Sequence, residues 1–234
     1  MQQLPLSLRW PAQQRFETFA PGDNAAAVAL LREAAQNGSA WILLAGPPGS
    51  GKTHLLLAAC AAASAAGRVA QYLPLRGAAR DAIRTLGGSE LLALDDLDAL
   101  AGDADAEHAL FDLYNRCKVE KSTMIFGARA APAQLGVALP DLVSRLSSCT
   151  QLVLKPLSED QRRVALRQRA QARGLVLDDA VLDWLFAHAQ RDLGSLAALL
   201  ERIDHAALAA KRRVTVPFLR SLLEEEKGSD PFFG

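Results

Sequence analysis

The sequence predicts an α/β fold: a five-stranded parallel sheet flanked by helices, followed by a small α-helical domain. Three observations carry that expectation. From Trp41 onward, short apolar runs alternate with longer segments of helical periodicity, the order that strand–helix–strand crossovers impose. A glycine-rich stretch, "GPPGSGKT", joins the first apolar run to the first of these helices. After Pro156 the alternation stops, and helical patterning alone continues to Glu226.

The elements follow in order. "AWILLAG" is a buried-strand run ending in glycine and prolines, and "KTHLLLAACAAASAAG" is built from strong helix formers and closed by Gly67. "RVAQYLPL" reads as a second strand, a helical stretch follows near Ala78–Leu86, and "ELLALDD" is a third strand. "DADAEHALFDLYNRCKVEK" places acidic residues early and basic residues late around apolar positions at helical spacing, as the helix dipole favours. "STMIFGA" and "CTQLVLKPL" complete the five strands. Beyond them, Ser158 with Gln161 fits a capping box, and Gly174, the Asp178–Asp179 pair and Pro217 punctuate four helical segments.

Composition bounds the function. With 234 residues, half of them hydrophobic, the chain can bury a substantial core, which excludes disorder throughout. Lys and Arg number 26 and are balanced by 26 Asp and Glu, which argues against a chain devoted to covering DNA phosphates. Cys60, Cys117 and Cys149 are scattered and match no metal-ligand spacing, so buried thiols in a reducing compartment are expected. No run reaches the roughly 20 apolar residues of a membrane span. The N-terminus lacks a signal peptide's basic and apolar regions. The expected location is cytoplasmic, with no membrane partner.

Gly46 to Thr53 fits G-x-x-x-x-G-K-[ST] in full, between a strand and a helix, the context that a phosphate-binding loop requires. Glycines let backbone N–H groups turn toward phosphates, and the helix N-terminus adds partial positive charge. The candidate nucleotide contacts are Pro48, Gly49, Ser50, Gly51, Lys52, Thr53 and His54, with Lys52 reaching the β- and γ-phosphates. "LLALDD" delivers Asp95 to the end of a strand beside the phosphates, so Thr53 and Asp95 are the candidate Mg2+ ligands. Asp96 is placed to orient an attacking water. At the end of the fourth strand Ala128 cannot contact a γ-phosphate, which leaves Thr123 or Arg129 as the nearest candidates. "LPDLVSRLSS" puts Arg145 on a short helix before the fifth strand, either a solvated arginine or one aimed at a neighbour's nucleotide.

The opening "QQLPLSL" alternates leucines, which suits an edge strand covering this domain or an extended peptide for another protein's groove. Taken together, "RFETFAPGDNAAAV", "LFDLYNR", "LPDLVSRL" and "RVTVPFL" resemble the Hda family of DnaA-homologous AAA+ replication regulators, over nearly the whole chain. The resemblance implies a AAA+ P-loop NTPase with a helical lid. It implies that Phe16, Phe19 and Asn24 line an adenine pocket and that ADP or ATP with Mg2+ is the cofactor. It implies that Gln3, Leu4, Leu6 and Leu8 dock on the sliding clamp, the β subunit of DNA polymerase III, although Ser7 stands where the family usually has proline. It also implies that Arg145 is an arginine finger, acting in trans to stimulate ATP hydrolysis by DnaA and so prevent re-initiation.

On this reading residues 1–10 are a clamp-binding peptide, 11–156 the nucleotide-binding domain, 157–226 the lid and 227–234 a flexible tail. DNA is engaged only through the clamp, and a homo-oligomer is possible. On the same reading, neither DnaA's helix-turn-helix after Glu226 nor a helicase-recruiting domain in front is expected. One departure concerns the lid: "QRDLGSL" puts Gly194 where the family has a sensor arginine, with Arg191 one turn earlier as a partial substitute. Together with Ala128 this predicts weak intrinsic hydrolysis. The competing function is an autonomous ATPase related to DnaA or the helicase loaders.

Overall fold

The computed structural model describes residues 10–188, 193–210 and 213–227. The chain divides into two compact units, separated in sequence between Pro156 and Leu157. Strands β1 (Trp41–Ala45), β2 (Ala70–Pro74), β3 (Leu91–Asp95), β4 (Thr123–Ala128) and β5 (Thr150–Val153) form one sheet of order β2-β3-β4-β1-β5. Every pairing is parallel.

A parallel sheet needs cover on both faces, and alternation along the strands provides for it. Ile42, Leu44, Leu91, Ala93 and Ile125 pack with α1 (Ala25–Asn37) and α2 (Lys52–Ala65) through Leu31, Leu55 and Leu56. Leu43, Leu92, Leu94, Met124 and Phe126 belong to the second cluster, with α3 (Ala104–Glu120) and α4 (Pro140–Ser147) through Leu110, Leu113, Leu142 and Leu146. Each leucine fully buried in these layers contributes about 1.5–3 kcal/mol of transfer free energy. The expected helix near residues 78–86 is instead 3-10 in character over Gly77–Thr85.

Two distant contacts close this unit. The Asn24 amide pairs with the backbone of Lys155: Nδ2 donates to its carbonyl at 2.9 Å, and Oδ1 accepts its N–H at 2.8 Å. Arg68 gathers the C-terminal carbonyls of α1, donating to Ala34 and Ala35 O at 3.2 and 2.7 Å.

The second unit holds α5 (Glu159–Ala172), α6 (Asp179–His188), α7 (Leu193–Ala210) and α8 (Val216–Lys227). The Ser158–Gln161 capping box forms as expected, each side chain bonding the other's backbone N–H. Asp178 Oδ1 accepts the Val181 N–H at 2.8 Å and opens α6. These helices enclose their own core, around Leu166, Leu185, Leu200 and Ile203. Among the described residues, no helix is long and apolar enough to cross a membrane.

Candidate nucleotide-binding site

The glycine-rich loop leaves β1 beside β4, where the Gly46 N–H donates to Ala128 O at 3.1 Å. Gly49 and Gly51 have φ of 76° and 95°, left-handed values that favour glycine. There is no room for side chains at its two ends. A Cβ on Gly46 would sit 2.8 Å from Ser50 Oγ, and one on Gly51 2.6 Å from Phe19 Cε2. The turn delivers the chain into α2 at Lys52, whose first N–H groups have no partners inside the helix.

Lys52 is buried, and its Nζ donates to Gly46 O at 2.8 Å and Pro47 O at 3.1 Å. Burial holds this ammonium below the ordinary lysine value, against the opposing pull of Asp95, Asp96 and Asp98. Ser50 Oγ is buried in the same loop without a hydrogen-bond partner. A cation held only by two carbonyls, an unpartnered hydroxyl and open helix N–H groups together fit a phosphate chain.

Asp95 is 2% exposed at the end of β3. Its Oδ2 accepts from Thr53 Oγ1 at 2.5 Å and from Tyr72 Oη at 3.1 Å, and its Oδ1 accepts the Asp96 N–H at 2.9 Å. The two expected magnesium ligands are thus in contact. Among the described residues no group of three or more His, Cys, Asp or Glu could hold a metal. Thr53 and Asp95 would therefore bind Mg2+ only together with phosphate oxygens. Asp96 has φ 56° and is ion-paired to Arg76 Nε at 2.7 Å, so its carboxylate is already engaged.

The other expected residues fall in different places. Phe19 borders the loop, its ring 5.2 Å from that of His54. His54 Nε2 lies 2.8 Å from Arg15 O, tying α2 to the N-terminal segment. Phe16 is buried in the α1–α2 core with the Arg32 guanidinium 5.1 Å above its ring, and the Asn24 amide is taken up by Lys155. Pro48 is exposed on the loop. Arg145 lies on α4, its Cζ 5.9 Å from the centre of the Tyr114 ring. Gln3, Leu4, Leu6, Leu8 and Arg191 lie outside the described residues, as do Phe232 and Phe233.

One expectation is corrected. Thr123 begins β4 at the end of the sheet opposite the loop, opposite Leu91 in register, and its hydroxyl accepts from Arg68 Nη2 at 3.1 Å. It cannot reach a phosphate. Arg129, directly after β4, stands at the correct end.

Three contributors escaped the sequence reading. Gly127 lies against Asp95, where a Cβ would come within 2.5 Å of Oδ1. A glycine inside a strand pattern is a signal of such close approach. Tyr72 holds Asp95 from β2, and burial together with that carboxylate raises its phenol well above the ordinary value. Glu107 on α3 is 1% exposed and accepts the N–H groups of Gly102, Ala138 and Leu139 at 2.8–3.0 Å, so it caps the entrance to α4.

A phosphate loop after β1, an acidic end on β3 and the order β2-β3-β4-β1-β5 give the protein the AAA+ type of P-loop fold. Its backbone is similar to domain III of the Thermotoga maritima replication initiation protein DnaA, with TM-score 0.77 and 19% identity over 92% of this chain and 98% of that one. AMPPCP-bound DnaA from Aquifex aeolicus gives TM-score 0.71 and 22% identity over 94% and 71%. The Thermotoga maritima RuvB Holliday junction branch migration motor gives TM-score 0.60 and 18% identity over 88% and 71%. Residues 159–223 match the family described as Hda, lid domain. The chain thus carries a segment of the Hda lid-domain family behind a unit with the fold of DnaA domain III.

Proposed function

We propose that this protein is a nucleotide-binding AAA+ adaptor that docks on the DNA-loaded sliding clamp and stimulates ATP hydrolysis by DnaA, preventing re-initiation in the cytoplasm. The observation that supports it is an Hda lid domain joined to a unit with an intact phosphate loop and a Thr53–Asp95 pair. The adenine nucleotide in DnaA of the same fold favours ADP or ATP as the ligand. A bound nucleotide would supply phosphate charge to Lys52 and, with Mg2+, oxygens to complete the coordination of Thr53 and Asp95. Gln3, Leu4, Leu6 and Leu8 would seat the chain on the clamp, so that DNA is engaged indirectly.

Arg145 would act outside its own nucleotide site. Its guanidinium lies over the Tyr114 face, a contact weak enough to exchange for a partner's phosphate. An arginine finger offered in trans accelerates phosphoryl transfer by about 10³–10⁵-fold. An autonomous ATPase is less well supported, because Ala128 is fully buried and carries no polar group toward a γ-phosphate.

The test is to follow hydrolysis of DnaA-bound ATP with this protein, clamp and primed DNA, omitting each in turn. Stimulation should require all three and should fall by orders of magnitude in Arg145→Ala, with lysine a poor substitute because it lacks the planar fork. Rapid turnover by this protein alone, or full stimulation by Arg145→Ala, would overturn the proposal.

A further inference from the structure

We infer that Tyr114 is a positioning residue for Arg145: its ring keeps the guanidinium out of an ion pair with Asp141 and so available to a partner. The inference rests on the proposed role of Arg145 in trans and adds to it the residue that holds the arginine in waiting.

The sequence sets up a competition. Asp141 and Arg145 stand four residues apart on α4, so both side chains leave the same flank of the helix. An acidic and a basic residue at this spacing ordinarily pair on a helix surface. Leu142 and Leu146 are fully buried in the core shared with α3 and the sheet, which fixes the rotation of α4 about its axis.

The structure resolves the competition in favour of the aromatic ring. Among the described residues no ion pair engages either Asp141 or Arg145. The Arg145 Cζ lies instead 5.9 Å from the centre of the Tyr114 ring, within the range of a cation–π contact. Tyr114 comes from α3 and is 3% exposed, so its ring cannot swing aside. The Trp41 ring backs it at 4.3 Å, tilted by 55°. The Tyr114 hydroxyl lies 3.4 Å from both Arg145 O and Ser148 Oγ, and Ser148 Oγ donates to Arg145 O at 2.7 Å. Tyr114 thus meets Arg145 at both ends, with its ring toward the guanidinium and its hydroxyl toward the main chain.

A ring and a carboxylate differ as resting places for an arginine. The ring is neutral and yields the guanidinium to a phosphate without leaving a negative charge behind. A carboxylate would neutralise the arginine and repel the phosphate that needs it. Asp141 has another interaction, because it sits in the first turn of α4, where the helix dipole favours negative charge. Ring contact and helix-surface ion pair are of comparable strength, so removing the ring is enough to tip Arg145 toward Asp141.

The test titrates the full chain into DnaA-bound ATP with clamp and primed DNA, and separates the maximal rate from the half-saturating concentration. Tyr114→Leu should lower the maximal rate about threefold at an unchanged half-saturating concentration, the share of arginine that such an ion pair withdraws. Tyr114→Phe, which keeps the ring, should lose less. Adding Asp141→Asn to Tyr114→Leu should restore most of the lost rate, a rescue that a residue serving only packing would not show. A second readout needs neither DnaA nor clamp. In the NMR spectrum of wild type the Arg145 δ-methylene protons should be displaced upfield by the ring, and in Tyr114→Leu they should not. Thermal melts check that each variant is folded, and the wild-type spectrum decides the contact even if Tyr114→Leu is not. No upfield displacement in wild type, or a Tyr114→Leu loss that Asp141→Asn does not restore, overturns the inference while Arg145 keeps its proposed role. If Arg145→Ala stimulates as well as wild type, that role has failed and the inference fails with it.

Discussion

At the residue scale, the tightest constraint on the site is an absent side chain. Gly127 leaves Asp95 room to face Thr53 and Tyr72 at once. Gly127→Ala would drive a methyl into the carboxylate, and overpacking of this kind costs about 1–3 kcal/mol. We expect the variant to fold with a lower melting temperature and to lose Mg2+-dependent nucleotide affinity, measured by titration with and without Mg2+. Undiminished affinity would show that Asp95 does not need this position. The thiols make a second prediction. Cys117 and Cys149 are buried, which pushes both up to about 11 from an ordinary value near 9. A raised thiol pKa means that the native state holds a proton the unfolded chain releases. Each thiol's stabilisation is then fully present below pH 9 and lost as pH rises through 11. The Cys117→Ala, Cys149→Ala double variant should therefore lose less melting temperature between pH 9 and 11 than wild type does.

At the element scale, the placement of α4 depends on one acidic residue of another helix. Glu107 accepts the N–H groups of Ala138 and Leu139 at the N-terminus of α4, the helix that carries Arg145. Glu107→Gln turns part of that acceptor into a donor facing donors, which costs about 1–3 kcal/mol. Urea denaturation should show this loss, and stimulation of DnaA should drop even though Arg145 is intact. Stimulation unchanged despite the lost stability would mean that α4 is held by its apolar face alone. This anchor also marks the limit of what the sequence discloses. The strands, the phosphate loop and the Ser158 cap are written in neighbouring residues, so spacing alone reveals them. Glu107 looks like one more charge on a charged helix, and its partners lie 31 and 32 residues away. Asn24 is similar: its amide bonds Lys155, 131 residues away, and nothing near it in sequence indicates that partner. Thr123 opens β4, and in a parallel sheet only the C-terminal ends of the strands face the loop, so it stands a strand's length away from it.

At the scale of the whole molecule, both core clusters that sandwich the sheet lie before Pro156, and the helices after it enclose a core of their own. Residues 10–156 expressed alone should therefore melt cooperatively by circular dichroism. A chain ending at Ser148 should not, because it lacks β5 and the Asn24 clamp. A cooperative melt from the shorter chain would show that the edge strand is dispensable. The strand order also has a consequence for synthesis. β2 and β3 are close in sequence and can pair early, but β1, which lies between β4 and β5, must wait, since Trp41 pairs with Met124 and Ile42 with Thr150. At about 5–20 residues per second, the apolar "WILLA" segment spends several seconds outside the ribosome without either neighbour. The bonds from Asn24 to Lys155 span 131 residues and can form only when the last of this unit has been made. The nascent chain is thus exposed to chaperones and to misassembly throughout that interval. Slowing translation over α3 and β4 should lower the yield of folded protein more than slowing it over the lid.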